Sequence, residues 1–360
     1  MKSGDKIGKL RLQGNVLKHA EEILGIVAKT QIRLFCTRYL WEKYLKGKRN
    51  MEQIAKCKLL TAVFEADNLR LDAHILKFDT IGKERFHIEI EQFVVRKITI
   101  ATHEDVVVYD LYAVLTRVER ILMLFDGVFI PLKEICFSDS DTVETELLNL
   151  YGYNLAQSRL SYFISAGFCS YRVDRLIEFD KVLTAELFEQ GVNLIHELDI
   201  VHQMYLYSMS NSKITVDVKC AFLIELAEPL IEIVKEHTKF FSSLFPGSHG
   251  TSLKNCLDAL ITKYGEDIFK RELSGNYEQF LSALVNSRVR IMHIKRKRSG
   301  VYFEGNESVL YIMKMSLLYR KIMFEVLDID ESYYRECLLK NVSRINQWNG
   351  VLEKFLSKLS

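Results

Sequence analysis

The chain has 360 residues, of which 48% are hydrophobic and 27% charged, and its net charge is +2. That balance excludes a disordered or collagen-like chain and a protein that binds nucleic acid through its overall charge, so any basic site must be local. The length implies two domains, and three prolines with no low-complexity stretch leave no place for a long disordered linker.

Seven cysteines (Cys36, Cys57, Cys136, Cys169, Cys220, Cys256 and Cys337) are dispersed without a CxxC or other ligand spacing. They read as thiols in a reducing compartment, with no disulfide framework, zinc site or other cofactor expected. The charged segment Met1 to Lys9 has no apolar core behind it, which is unlike a signal peptide. No apolar run approaches the roughly 20 residues that span a bilayer, so a cytoplasmic protein without membrane contact is expected.

Along the chain, residues 15–46 fit helix or strand equally well. From about 58 to 109 the apolar residues alternate: Phe86, Ile88 and Ile90 interleave with His87, Glu89 and Glu91, and Asn68 to His74 shows the same period. This predicts half-buried antiparallel strands. Leu111, Val114, Leu115, Val118, Ile121 and Leu122 then fall at helical spacing behind Asp110, a candidate N-cap. The acidic stretch Ser138 to Glu146 reads as a loop entering a helix rather than a cation site.

After a mixed region at 150–185, helices are expected at about 183–208, 217–240, 252–264, 277–293, 307–327 and 331–346, with Pro229 kinking or dividing the second. A short strand near Val301 to Phe303 is the one exception in the C-terminal third. The expected fold class is α+β: a β-rich N-terminal domain with some helices, residues 1–200, then an all-α bundle, residues 201–360, with the seam near 185–215. His196 and His202 lack the HExxH spacing and point in different directions on a helix, so neither is taken as a metal ligand. Walker, GxGxxG and GxSxG motifs are also absent. Tyr205, Tyr207, Tyr333 and Tyr334 read as packing residues.

The helix at 277–293 carries the chemistry. Gly275 breaks the chain before it, Asn276 is its candidate cap, and Gln279 follows three residues on, as in a capping box. Tyr277, Phe280, Leu281, Leu284, Val285, Val289 and Met292 form its apolar stripe, into which Arg288 and His293 fall. A cation on an apolar face is costly unless it is paired. Either Arg288 is a core residue bonded to a carboxylate, or this face lines a groove that receives a phosphate. Arg288 and His293 point about 140° apart on an ideal helix, which suits two long side chains at the rim of a shared groove. Lys295, Arg296, Lys297 and Arg298 follow at once. Arginine-x(4–6)-histidine arises by chance about 1.5 times in such a composition. The other occurrence, Arg96 and His103, lies in a strand-like run at an odd separation that sends the two side chains to opposite faces.

These residues resemble the HEPN superfamily of ribonucleases, whose signature is Arg-x(4–6)-His on a bundle helix. More closely, the C-terminal segment resembles the Apea-like HEPN branch found in bacterial defence proteins. The matching features are Phe280 to Arg288, His293, the basic loop, the long apolar helix Ser308 to Leu327, then Asp328, Asp330 and a short terminal helix. The resemblance covers about 215–346, and upstream Asp110 to Val128 is compatible with the N-terminal domain of that branch. Position 289 is valine where the family usually has asparagine, so a polar contact is missing there.

The resemblance implies an HEPN-type bundle and RNA cleavage without a metal, in a site formed between two HEPN domains of a homodimer. His293 would serve as general acid or base, because imidazole in general titrates near working pH. Arg288 would offset charge on the phosphorane, and the products would carry 2′,3′-cyclic phosphate or 3′-phosphate ends. Lys295, Arg296, Lys297 and Arg298, assisted by Arg290, would hold the RNA backbone. It further implies an antiphage-defence or toxin role, with a trigger or antitoxin protein as partner of the N-terminal domain. The rival readings are a catalytically silent HEPN-like module that binds RNA or a protein, and a purely structural helical domain.

Overall fold

The computed structural model describes residues 56–64, 75–81, 85–91, 97–127, 132–138, 175–210, 214–238, 252–293 and 300–359. The expectations for 15–46 and 68–74, the acidic stretch beyond Ser138, the mixed region up to 174 and the basic residues Lys295 to Arg298 lie outside them.

Five strands form one antiparallel sheet: β1 (Lys56–Phe64), β2 (Ile75–Asp79), β3 (Phe86–Glu91), β4 (Lys97–Val107) and β5 (Leu132–Ser138), in the order β2-β3-β4-β1-β5. The alternation read in the sequence is the alternation of burial: Phe86, Ile88 and Ile90 face the core while His87 is exposed. Cys57 pairs with Val106 but Leu59 with Ala101, so His103 to Asp105 are pushed out of the β1–β4 ladder.

Helix α1 (Val108–Asp126) covers the sheet through Leu111, Leu115, Val118 and Leu122. Its N-cap is Val107, without a side-chain bond, and not Asp110, which sits in the first turn where its charge favours the helix dipole. Gly127 ends α1 in the left-handed conformation (φ 71°), which glycine adopts without strain, and its N–H returns to the Met123 carbonyl.

The remaining described residues are mainly helical. α2 (Phe179–Val182), α3 (Ala185–Leu198) and α4 (Ile200–Met209) replace the single helix expected at 183–208, because Asp199 at φ 35° breaks it. α5 (Val216–Glu225) and α6 (Ala227–His237) divide at Leu226, which places Pro229 in the first turn of α6, where it costs little. Next come α7 (Leu253–Tyr264), α8 (Lys270–Leu273), α9 (Tyr277–Met292), α10 (Asn306–Val326), a 3-10 turn (Glu331–Tyr333), α11 (Arg335–Asn346) and α12 (Asn349–Leu356). The strand expected near Val301 to Phe303 is instead an irregular segment, because those residues bond to α9 side chains rather than to another strand. No helix among the described residues is long and apolar enough to cross a membrane.

α10 is the axis of the bundle, buried on nearly every side. Phe303 stacks on its Tyr311 at 4.1 Å, with Phe355 of α12 packed edge-on against both. At its other end the fully buried Arg320 donates from Nε to the Leu124 carbonyl at 2.7 Å and from Nη2 to that of Phe125. It thereby caps the carbonyl end of α1 and joins the sheet-bearing region to the bundle. Of the singled-out tyrosines, Tyr205 stacks on Tyr319 at 4.1 Å and Tyr334 packs on Phe324, as packing residues should, whereas Tyr333 is exposed.

His202 of α4 is buried, with Nδ1 3.0 Å from the Tyr319 hydroxyl. Burial first, then the charge of Arg120, pushes its pKa down from 6.5 to about 3. The unfolded chain therefore takes up a proton that the folded one refuses. The stability contribution is complete above about pH 6.5 and falls as the pH drops towards about 3. Denaturation midpoints measured from about pH 7 to 4 are expected to fall, and His202→Gln, which keeps a partner for Tyr319 but cannot charge, is expected to flatten that slope.

Candidate active site

α9 begins as its sequence predicts: Asn276 caps it by accepting the Gln279 N–H at 3.3 Å and also donates from Nδ2 to the Leu359 carbonyl at 2.9 Å. The buried face runs through Phe280, Leu281, Ala283, Leu284 and Ser287. Towards the C-terminus it departs from the expected stripe: Val289 is only half-buried and Met292 is exposed, so this end of the helix lies at the bundle surface.

That end is nonetheless held firmly. Ser287 Oγ donates to the Ala283 carbonyl at 2.7 Å and accepts the Phe303 N–H at 2.8 Å, while Asn286 Nδ2 donates to the Val301 carbonyl at 3.1 Å. Gly300 makes this approach feasible: its φ is 109°, and a Cβ there would lie 2.8 Å from Asn286 Nδ2. The segment from Gly300 to Phe303 is thereby anchored to α9.

Arg288 and His293 meet. Arg288 Nη1 lies 3.2 Å from His293 Nε2, within the range in which a guanidinium N–H donates to the imidazole lone pair. The ideal-helix angle does not separate them because His293 is the C-cap (φ −102°, ψ 7°) and has left helical geometry. His293 is exposed and Arg288 half-buried.

The other face of the guanidinium is taken by Glu225, the last residue of α5. Arg288 donates from Nη2 to Glu225 Oε1 at 2.6 Å and from Nε to Oε2, a two-pronged ion pair. The carboxylate partner weighed for Arg288 is therefore real, but it sits at the rim rather than in the core: the two side chains are 19% and 25% exposed. The Glu225 hydrogen bonds, opposed by partial burial and helped by the charges of Glu225 and Glu228, raise the Arg288 pKa and keep it cationic.

α5 is held in place because Asp217 at its start accepts the Gly305 N–H at 3.0 Å and the Ser308 hydroxyl at 2.6 Å at the head of α10, while α9 packs alongside. Of the five N–H groups a guanidinium carries, Glu225 and His293 engage three, which leaves one on Nη1 and one on Nη2. The arrangement offers a fixed, permanently charged donor beside an accessible imidazole.

Arg290 is otherwise engaged: it pairs with Glu304 at 2.9 Å and its guanidinium lies over the Tyr302 ring at 4.4 Å. Glu225 was not legible in advance. It is 63 residues from Arg288, and its one signal is a carboxylate set between Ile224 and Leu226 in an apolar helical run.

Of the other sequence candidates, His202 is consumed by its buried contact with Tyr319, and His196 is exposed on a different helix. His103 is exposed on β4, and its sequence partner Arg96 lies outside the described residues. The five described cysteines are free thiols, with Cys57, Cys220 and Cys256 buried and Cys136 and Cys337 half-buried.

Comparison with curated proteins and with solved structures returned no match. A family model does match, and it covers the elements that build this site, from the entry to α5 through α9 and α10: residues 210–333, the C-terminal region of the chain, match the Apea-like HEPN family.

Proposed function

We propose that this protein is a metal-independent endoribonuclease in which His293 moves protons and Arg288 stabilises charge on the reacting phosphate. An HEPN-family domain points to a nuclease or RNA-related role. The observation that carries the finer reading is the contact between the Arg288 guanidinium and the His293 imidazole, with Glu225 fixing the guanidinium from behind.

In this scheme the N–H groups of Arg288 not held by Glu225 turn to a non-bridging phosphate oxygen, which frees the Nε2 lone pair of His293. That nitrogen takes the proton of the ribose 2′-hydroxyl, and the imidazolium returns a proton to the leaving 5′-oxygen. Attack by the 2′-oxygen on phosphorus, with departure of the 5′-oxygen, leaves a 2′,3′-cyclic phosphate. Lys295, Arg296, Lys297 and Arg298 follow this helix in the sequence and are proposed to hold the RNA backbone through salt-sensitive contacts, with Arg290 joining if RNA displaces Glu304. A homodimer through the HEPN domain would bring a second Arg–His pair to a composite site. The sheet-bearing region, within the proposed N-terminal domain 1–200, would respond to a trigger or antitoxin protein, as suits a cytoplasmic antiphage-defence or toxin protein.

The test is the product. EDTA-treated protein is expected to cleave RNA and leave 2′,3′-cyclic or 3′-phosphate ends, and Arg288→Ala is expected to lower the rate by about 10²–10³-fold. A second reading, a silent module that binds RNA or a protein, is favoured by the Glu225 pair, because a guanidinium already neutralised serves structure as well as catalysis. It predicts salt-sensitive RNA retention with the RNA left intact.

A further inference from the structure

Away from the Arg288 site, Glu197, Glu236 and His237 each offer one ligand atom, and these atoms lie within 4.8 Å of one another. His237 Nε2 is 3.0 and 2.9 Å from the two oxygens of Glu197, which comes from a helix 40 residues away in sequence. A histidine–glutamate ion pair explains those two residues but not the third: among the described residues Glu236 makes no hydrogen bond or ion pair, yet its carboxylate is brought beside another carboxylate.

The three residues sit at two helix ends: Glu197 lies in the last turn of α3, and Glu236 and His237 in the last turn of α6.

We propose that Glu197, Glu236 and His237 bind a divalent transition-metal cation, zinc in the first place, as a brace between α3 and α6. One imidazole nitrogen with two carboxylate oxygens is a donor set that zinc accepts in tetrahedral geometry, with water in the remaining position. The nitrogen donor argues against calcium or magnesium, which take oxygen ligands.

The placement gives the brace a purpose. α3 precedes the segment matched to the HEPN family and packs on α1 of the sheet-bearing region, whereas α6 lies inside that segment. A shared ion would fasten the connecting helix to the bundle. It lies on different residues from the proposed RNA site, whose chemistry needs no metal, so each can fail without the other.

The experiment uses the full-length chain without an affinity tag, stripped with EDTA, dialysed, and titrated with Zn²⁺ by calorimetry and by thermal melting. One equivalent is expected to bind and raise the Tm, EDTA is expected to reverse the rise, and His237→Ala and Glu236→Gln are expected to weaken binding by about tenfold or more. Glu236→Gln is the sharper variant, because it leaves the His237–Glu197 pair intact and should not alter the Tm of the stripped protein. Absence of saturable uptake by wild type, or equal uptake by wild type and both variants, overturns the proposal.

Discussion

His293→Ala is expected to lower RNA cleavage by about 10²–10⁴-fold, the usual worth of a positioned general acid or base, while leaving the melting temperature unchanged. The second half follows from the structure: His293 is exposed, its side chain is bonded only to Arg288 among the described residues, and its backbone N–H cap to the Val289 carbonyl does not need the imidazole. Added imidazole should restore part of the activity, since a small base can enter the vacated, solvent-open position. A variant that loses activity together with stability, or that imidazole does not help, would place His293 in the architecture rather than in the chemistry. Arg288→Ala differs in kind: it removes the charge proposed to meet the phosphate and also leaves Glu225 without its partner, so some loss of stability should accompany the loss of rate.

Lys314→Met carries the largest expected cost in stability. Lys314 of α10 and Glu272 of α8 are 1% and 0% exposed, with Nζ 2.6 Å from Oε1, and the Tyr311 hydroxyl donates to the same oxygen at 3.0 Å. Burial pushes the Lys314 pKa down, and the Glu272 carboxylate opposes that shift. Tyr311 is held well above its usual range, again mainly by burial, and so remains a neutral donor. Removing the ammonium leaves a carboxylate in the core of the bundle with one hydrogen bond, a situation that costs about 3–5 kcal/mol. The double variant Glu272→Gln with Lys314→Met removes both charges and should recover most of that loss. Denaturant unfolding of the two single variants and the double variant checks this; singles as mild as the double would mean that the pair is not buried as described.

These two predictions concern the same bundle, one its core and the other its surface, which shows how the fold serves the site. α10, apolar on nearly every side, forces its neighbours to surround it. α5 packs on it directly, α9 packs on α5 and reaches α10 through Phe280 against Tyr311, and Glu225 and Arg288 meet where α5 and α9 come to the surface. The tight anchoring of Ser287 and Asn286 to the returning segment 301–303 then keeps the end of α9, and with it the His293 cap, from fraying. A guanidinium held from behind and an imidazole fixed at a helix end are preorganised, which is the condition under which such groups accelerate phosphoryl chemistry most.

Local signals were legible in the sequence and distant partners were not. α9 and its Asn276 cap, α10, and the alternating strands β3 and β4 follow from patterns within a few residues. β5 escaped because its ladder with β1 shifts between Val63 and Phe64, so Leu132 is buried on one side of the irregularity and Ile135 and Phe137 on the other, and no even alternation survives. The break at Asp199 carries no glycine or proline, and only the observed φ of 35° reveals it. The Arg288–His293 pair was visible as a motif, but Glu225, which pairs with the Nε–Nη2 edge of the guanidinium, required two helices to be folded together. Of the alternatives posed for Arg288, the carboxylate partner is present, at the rim rather than in the core.

A time course of RNA cleavage in EDTA by wild type, Arg288→Ala and His293→Ala, with circular dichroism to confirm folding, tests the central claim most directly. The account predicts that wild type cleaves and that both folded variants lose activity by about 10²-fold or more. RNA left intact by wild type, or cleaved equally well by all three proteins, would contradict it.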